Sequence, residues 1–289
     1  MKTPRSNISK PTQGFSLIEL LVVIGSVGVL AGILLPSMAG AKERAHVTVC
    51  LNNMRQMAMA VQSYSEDNHE RLPSSYVREL NPTNSLPIGP GKKTLSALGG
   101  QDPQEPFSDK FPSARVRPLY PYLAPSRTYQ CPRDKGQSIL TCETSAKEVP
   151  SNYETVGCSY QYNDGLLVIL RPGGFRFHNG GGLSDQYLSW VSNPSQFIML
   201  HEPPARLYGC LEDGEDAYWY QWHFSKGQTE FKDPKAAPQD FWSPIAFVDG
   251  HVKLHDFSKS LATDPYYPYE ATKDWTWYKA LKWGSDAEL

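Results

Sequence analysis

One carboxylate, Glu19, stands just before the uncharged run "LLVVIGSVGVLAGILLPSMAGA", residues 20 to 41. An unpaired acid in lipid costs several kcal/mol, so its position calls for a partner. His251 and His255 are four residues apart, with Asp249 and Asp256 close by. On a helix that spacing could hold a metal. On a strand the two rings stand roughly 13 Å apart, too far to share an ion. Asp249 then serves a turn. "LEDGEDAYW" gathers Glu212, Asp213, Glu215 and Asp216. Oxygen-rich loops bind calcium, but the full helix-loop-helix calcium pattern is missing, and a solvated acidic loop is the plainer reading. His201-Glu202 follows an apolar stretch and could act as an acid-base pair. No Ser lies in a G-x-S-x-G elbow, and Cys158 after Gly157 has no specific partner signature. Gly173-Gly174 and Gly180-Gly181-Gly182 lack a phosphate-loop frame and read as turns. No catalytic site emerges, so an enzyme is not expected.

The elements that would position these groups follow from composition and periodicity. The 289 residues suffice for one large domain or two ordinary ones. The formal charge of −2 offers nothing for nucleic acid. Residues 1 to 14 carry Lys2, Arg5 and Lys10 and no acid. Without them 25 basic residues face 30 acidic ones, a formal −5. Twenty-four prolines, 22 glycines and 12% aromatics suggest a loop-rich, partly β head.

A helix from Phe15 to Leu35 would be roughly 32 Å long, matching a hydrocarbon core. A basic leader precedes it, as in a secretory signal. Cleavage after the run, at Ala39 or Ala41, is one option; a cut between Gly14 and Phe15 is the other. Periodicity continues beyond the apolar run. Val47, Leu51, Met54, Ala58 and Val61 recur at spacings of four and three, widened by Cys50, Met57 and Tyr64. Lys42, Arg44, Asn52, Arg55, Gln56 and Ser63 lie largely opposite. The apolar face predicts packing on the head. Pro36 is the one breaker, able to kink or locally unwind the helix. Gly25, Gly28 and Gly32 allow close helix packing or local melting.

"GFSLIELLVV" resembles the class III signal of type IV pilins and type II secretion pseudopilins. The likeness rests on Gly14, Phe15 and Glu19 at the family spacing, the basic leader, and Pro36 where pilin helices bend. It implies that a prepilin peptidase cuts after Gly14 and N-methylates Phe15. It implies too that Glu19 pairs with the N-terminal amine of a neighbouring subunit during assembly. The helix dipole favours an acid at that end. "CLNNMRQMAMAVQSYSEDNHERLP", "YQCPRDK", "SYQYNDG", "NPSQFIMLHE" and "AFVDGHVK" further resemble large-headed pseudopilin-like proteins. Residues 74 to 128 and 205 to 240 match poorly.

The implied architecture is α+β and pilin-like. Residues 1–14 are a cleaved leader, 15–67 a membrane-spanning and stalk helix packed on an antiparallel sheet, and 68–289 the head. "LLVIL" (166 to 170) and "QFIML" (196 to 200) read as buried strands. Asp249-Gly250 between two apolar runs predicts a two-residue type I′ hairpin. "VRPLYPYL" (116 to 123) suggests a short helix or turn. "TKDWTWYKALKW" suggests a C-terminal amphipathic helix. Five cysteines permit disulfides in an exported head. A Cys50–Cys131 bond would staple helix to head, and Cys142 with Cys158 could close a local loop, leaving Cys210; connectivity stays open.

The family resemblance implies these partners: the prepilin peptidase, an inner-membrane assembly platform, sibling pilin-like subunits and membrane lipid. It implies an inner-membrane anchor, a periplasmic head and, later, a filament. No cofactor is expected beyond the calcium some pseudopilins bind. The alternative is a membrane-anchored module whose Tyr266, Tyr267, Tyr269, Trp275 and Trp277 recognise a glycan.

Overall fold

The computed structural model describes residues 16–78, 92–94, 97–105, 111–136, 151–164, 166–171, 174–179, 181–202, 208–209, 217–225, 227–230 and 242–258. Residues Leu17–Asp67 form one α-helix of 51 residues, α1. Its backbone stays helical through Pro36, so the local unwinding considered there does not occur. The chain divides into two compact units, Met1–Arg44 and Ala45–Leu289. In the first, the apolar side chains stand bare: Leu17 is 79% exposed and Ile33 69%. A helix that is apolar all round needs an apolar medium. By length and composition this one can cross a membrane.

The second unit begins with the amphipathic half of α1. Cys50, Met54, Met57 and Ala58 are fully buried, and Val47 and Val61 nearly so. Asn52, Arg55, Gln56 and Ser63 are exposed. This is the stripe that the three-four periodicity predicts. The helix stops in a left-handed turn. His69 and Glu70 both have positive φ, the Glu70 N–H bonds the Ser65 carbonyl, and the Asn68 amide caps the Tyr64 carbonyl at 2.7 Å.

The head is antiparallel. Tyr76–Arg78 (β1) pairs with Lys92–Thr94 (β2). The central sheet runs in the order β11-β10-β6-β3. Its strands are Gln161–Tyr162 (β3), Ile198–His201 (β6), Trp242–Phe247 (β10) and Val252–Asp256 (β11). Leu166–Arg171 (β4) and Gly174–Asn179 (β5) form a separate hairpin. Tyr208–Gly209 (β7), Ala217–Gln221 (β8) and Gly227–Glu230 (β9) make a three-stranded sheet. The class is therefore α+β, as expected. One hydrophobic core joins Cys50, Met54, Met57 and Val61 of α1 to Tyr162, Met199, Leu200 and Ala246 of the central sheet. Pro244 is tolerated inside β10 because pairing with β6 begins only at Ile245, so its missing N–H leaves no ladder bond unmade.

The hairpin turn differs from the expected one. Phe247 accepts from the Gly250 N–H at 2.9 Å and donates to the His251 carbonyl at 2.9 Å. Gly250 has φ +87°, while Asp249 does not have positive φ. The loop is a three-residue type I turn with a glycine bulge, not a two-residue type I′ turn, which needs positive φ at both centres. Asp249 does serve the turn, accepting from the His251 N–H and Nδ1.

The proline-rich stretch before Cys131 is ordered around one buried cation. Arg117 gives its guanidinium to the carbonyls of Pro112, Gly99 and Val156 at 2.6 to 3.2 Å. Desolvation lowers its pKa to about 10. In the "VRPLYPYL" region the 3₁₀ segment Ala114–Val116 ends and residues 118–122 form a turn.

Candidate functional site

Among the described residues, two places hold groups that could do chemistry. The first is the start of α1. Ser16 precedes the helix, and its Oγ accepts from the Ile18 N–H at 3.3 Å. Glu19 Oε2 accepts from the Ser16 N–H at 2.9 Å. The Glu19 arm of a capping box is thus present, while the Ser16 hydroxyl caps Ile18 instead of Glu19. The spacing S-x-x-E is legible in "FSLIE". To the helix-dipole and intermolecular roles expected of Glu19 the structure adds a hydrogen bond to its own helix start. Gly14 and Phe15 lie outside the described residues.

The second place is buried in the head. Cys50 sits on the inner face of α1. Cys131 follows a 3₁₀ turn, Arg127–Tyr129, capped by the Ser126 side chain. Glu202 directly follows β6. His223 opens a turn after β8, where Phe224 has φ +59°. Their ligand atoms all lie within 4.8 Å of one another. The two Sγ atoms are 3.1 Å apart. Cys131 Sγ is 3.5 Å from His223 Nε2, which lies 3.0 Å from Glu202 Oε2. All four side chains are almost wholly excluded from solvent.

The surroundings fix these positions. The Cys131 N–H donates to Ser159 Oγ, and the Ser159 hydroxyl donates to Asp134 Oδ2 at 2.6 Å. Asp134 also accepts from the N–H groups of Gly136, Asn152 and Tyr153. Burial raises the Asp134 pKa, opposed by these hydrogen bonds. Trp222 Nε1 donates to the Gly136 carbonyl, which sets the residue before His223 against the same turn. The Arg133 N–H points at Cys131 Sγ from 3.4 Å. Asn53, three positions after Cys50, donates to the Tyr160 hydroxyl and the Gln130 carbonyl.

Electrostatics here are unusual. Burial, with Cys50 alongside, pushes the Cys131 thiol well up. Burial would lower the His223 pKa, yet the Glu202 carboxylate and the Cys50 side chain raise it to about 10. Cys158 lies apart, its thiol donating to the Tyr160 carbonyl and pushed up to about 12 by burial.

Sequence reasoning brought Cys50 and Cys131 together as a candidate pair, and the structure does place their sulfurs in contact, as free thiols. It singled out His201-Glu202, of which only Glu202 joins the cluster. His223 was missed: "YQWHFSK" carries no ligand motif, and its nearest partner is 21 residues away in sequence. His251 and His255 do not meet at one ion; His251 stacks on Phe247 and His255 packs on Phe257. Cys142, Cys210, the acidic run from Glu212 to Asp216, the C-terminal helix and the aromatics Tyr266 to Trp277 lie outside the described residues.

Comparison with known proteins bears out the likeness read from the leader. The chain is 37% identical over 57 residues to the type II secretion system core protein G of Escherichia coli, covering 20% of this chain and 39% of that protein. It is 37% identical over 57 residues to the type IV wide pilus major component PilA4 of Thermus thermophilus, covering 20% and 44%. Against the core protein G of Pseudomonas aeruginosa the figure is 36% over 55 residues, 19% and 39%. The similarity lies in the N-terminal region. The chain thus spans about two fifths of the length of the curated relatives it matches. No family model and no solved structure matches. The N-terminal region is thus similar to that of type II secretion core proteins G and of a type IV pilus component, and the long apolar helix with a separate antiparallel sheet is consistent with a pilin-like fold.

Proposed function

We propose that this protein is a pilin-like structural subunit, a pseudopilin that enters a type II secretion or type IV pilus-like filament and carries no catalysis of its own. The observation that carries this reading is the first half of α1. Its apolar residues from Leu17 to Met38 are exposed on every side, with one carboxylate in the first turn. Such a surface is stable only in lipid or against copies of itself. The named relatives are a core protein of secretion systems and a major pilus component, which supports the same role here.

In this proposal a prepilin peptidase removes residues 1–14 and exposes the Phe15 amine. The subunit waits in the inner membrane with its head in the periplasm. An assembly platform then extracts it into a filament, where Glu19 meets a neighbour's amine. In the membrane-resident chain Glu19 is held by the Ser16 N–H. Assembly would exchange that internal bond for an intermolecular charge pair, which is the stronger interaction in a desolvated setting.

Mass spectrometry of the mature protein tests the reading. The expected first residue is Phe15, N-methylated, and the protein should appear in the sheared filament fraction. A mature start after Ala39 or Ala41 would overturn the proposal, because that cut discards the whole assembly helix.

A further inference from the structure

We propose that Cys50, Cys131, His223 and Glu202 form a closed tetrahedral zinc site that locks the amphipathic half of α1 to the head. This goes beyond a filament role, and it departs from the expectation that the chain needs no metal.

The geometry argues first. Zinc bonds of about 2.3 Å to sulfur and 2.0–2.1 Å to nitrogen or oxygen give tetrahedron edges of roughly 3.8 Å between sulfurs, 3.5 Å from sulfur to nitrogen and 3.3 Å from nitrogen to oxygen. The observed edges are 3.1 Å for the two Sγ atoms, 3.5 Å from Cys131 Sγ to His223 Nε2, and 3.0 Å from Nε2 to Glu202 Oε2. These three edges match the ideal ones or fall short of them, by about 0.7 Å at most for the sulfur pair, and the remaining separations lie within 4.8 Å, so an ion among the four atoms needs only a small outward shift of the two sulfurs.

Ligand chemistry argues second. Two thiolates, an imidazole and a carboxylate suit zinc, and four protein ligands leave no open position, as in structural sites. Buried polar groups are normally satisfied, yet Glu202 Oε1 is buried without a hydrogen-bond partner. A carboxylate turned onto a metal through one or both oxygens accounts for that atom.

The supporting shell argues third. An N–H from Arg133 points at Cys131 Sγ, the kind of donor that stabilises a thiolate. Cys131 itself is fixed by Ser159 and Asp134, and the loop before His223 by Trp222.

A Cys50–Cys131 disulfide would use the same two sulfurs and exclude the metal. It would also leave the His223–Glu202 ion pair buried beside an uncharged bond, a costly arrangement. The metal uses all four groups. Binding Zn²⁺ displaces the thiol protons of Cys50 and Cys131 and the Nε2 proton of His223. The ion and the lost imidazolium charge balance the three released protons, and no redox change occurs.

The ligands come from α1, the turn after residues 127–129, the end of β6 and the turn after β8. One ion would therefore cross-link four segments up to 173 positions apart in sequence, between Cys50 and His223. Metal binding would then contribute directly to folding.

The test uses the full chain purified in detergent from membranes. Elemental analysis should find about one zinc per chain, and Cys50 and Cys131 should resist alkylation until a chelator is added. Reduced, metal-stripped protein should take up one Co²⁺, with thiolate charge-transfer bands and intense tetrahedral d–d bands. Cys131→Ser should abolish those bands. Glu202→Gln keeps the shape of the side chain and should weaken zinc binding by roughly tenfold or more. Three results would each overturn the proposal. These are a Cys50–Cys131 disulfide in freshly extracted protein, failure of reduced protein to bind Co²⁺, or unchanged affinity in Glu202→Gln.

Discussion

The two halves of α1 share one backbone and solve opposite problems. From Leu20 to Ala41 the helix is uncharged and largely apolar, and its large apolar side chains are exposed. From Ala45 to Asp67 it is amphipathic, and one stripe is sealed into the head. The first half calls for an apolar medium. The second half gains its stability within the chain. Helix propensity alone does not distinguish them. The distribution of polar residues around the axis does, and it changes within a few residues of Lys42. Similarity to known proteins covers about 57 residues in the N-terminal region. The head matches no family model and no solved structure.

The largest effect should come from paired truncations. Met54→Ala removes a fully buried side chain and should cost about 2–5 kcal/mol of head stability. Leu30→Ala, in the exposed half, should leave the unfolding midpoint of the head unchanged. Tryptophan fluorescence during denaturant unfolding reads both. Equal destabilisation by the two would break the contrast between the halves.

Glu19 sharpens it next, because its two roles separate chemically. Glutamine can make the same capping bond to the Ser16 N–H but carries no charge. If the charge guides assembly, Glu19→Gln and Glu19→Ala should both lower filament incorporation by roughly tenfold or more, the equivalent of about 1.4 kcal/mol or above. Neither should shift the head's unfolding midpoint. Wild-type incorporation of Glu19→Gln beside a defective Glu19→Ala would reduce the residue to a helix cap.

Gly250 tests a smaller contact of the buried half. It holds φ +87°, and an added Cβ would approach the Gln62 side-chain nitrogen to 2.8 Å. Gln62 is on α1 and donates to the Asp249 carbonyl. The long Gln62 side chain can move aside, so backbone strain dominates, and Gly250→Ala should cost about 1–2 kcal/mol. A neutral result would mean that the hairpin re-forms with another turn.

The smallest effect concerns a capping box, Ser151 with Glu154 at the start of the short helix Asn152–Thr155. Ser151→Ala should cost about 1 kcal/mol. Hydrogen bonds from the Ser151 hydroxyl and N–H hold the Glu154 carboxyl below its ordinary range. Its folded pKa is depressed, so its contribution is present above the ordinary glutamate pKa and is lost as pH falls through the lower folded value. Glu154→Gln should flatten that acid slope slightly, as measured by urea midpoints across the carboxylate range. A slope identical to wild type would show that the box does not form.

Much of this was written in local pattern. The end of α1 near Asn68, its buried stripe, the strands at Leu166 and Ile198, and the hairpin around Asp249 all follow from periodicities of 3.6 and 2 and from turn residues a few positions apart. Even the bond from the Ser16 N–H to Glu19 is written in a four-residue word. Local rules failed first at the hairpin loop, where "DG" fits two turn types and the register of β10 against β11 chose the three-residue form.

The buried cluster was beyond such reading. Cys50 and Cys131 could be suspected as a pair because cysteines are few. Nothing in "YQWHFSK" or "MLHE" marks His223 and Glu202 as their neighbours. Their proximity exists only once β6 and β8 end beside the turn that Asp134 and Ser159 hold, with α1 closing over it. The sequence by itself determined the helix, its change from uniformly apolar to amphipathic, and the likeness of its first half to pilins, because each is set by residues within a turn or two of one another. Tertiary structure alone decided which four side chains share a dry pocket, because that depends on how distant segments pack around one core.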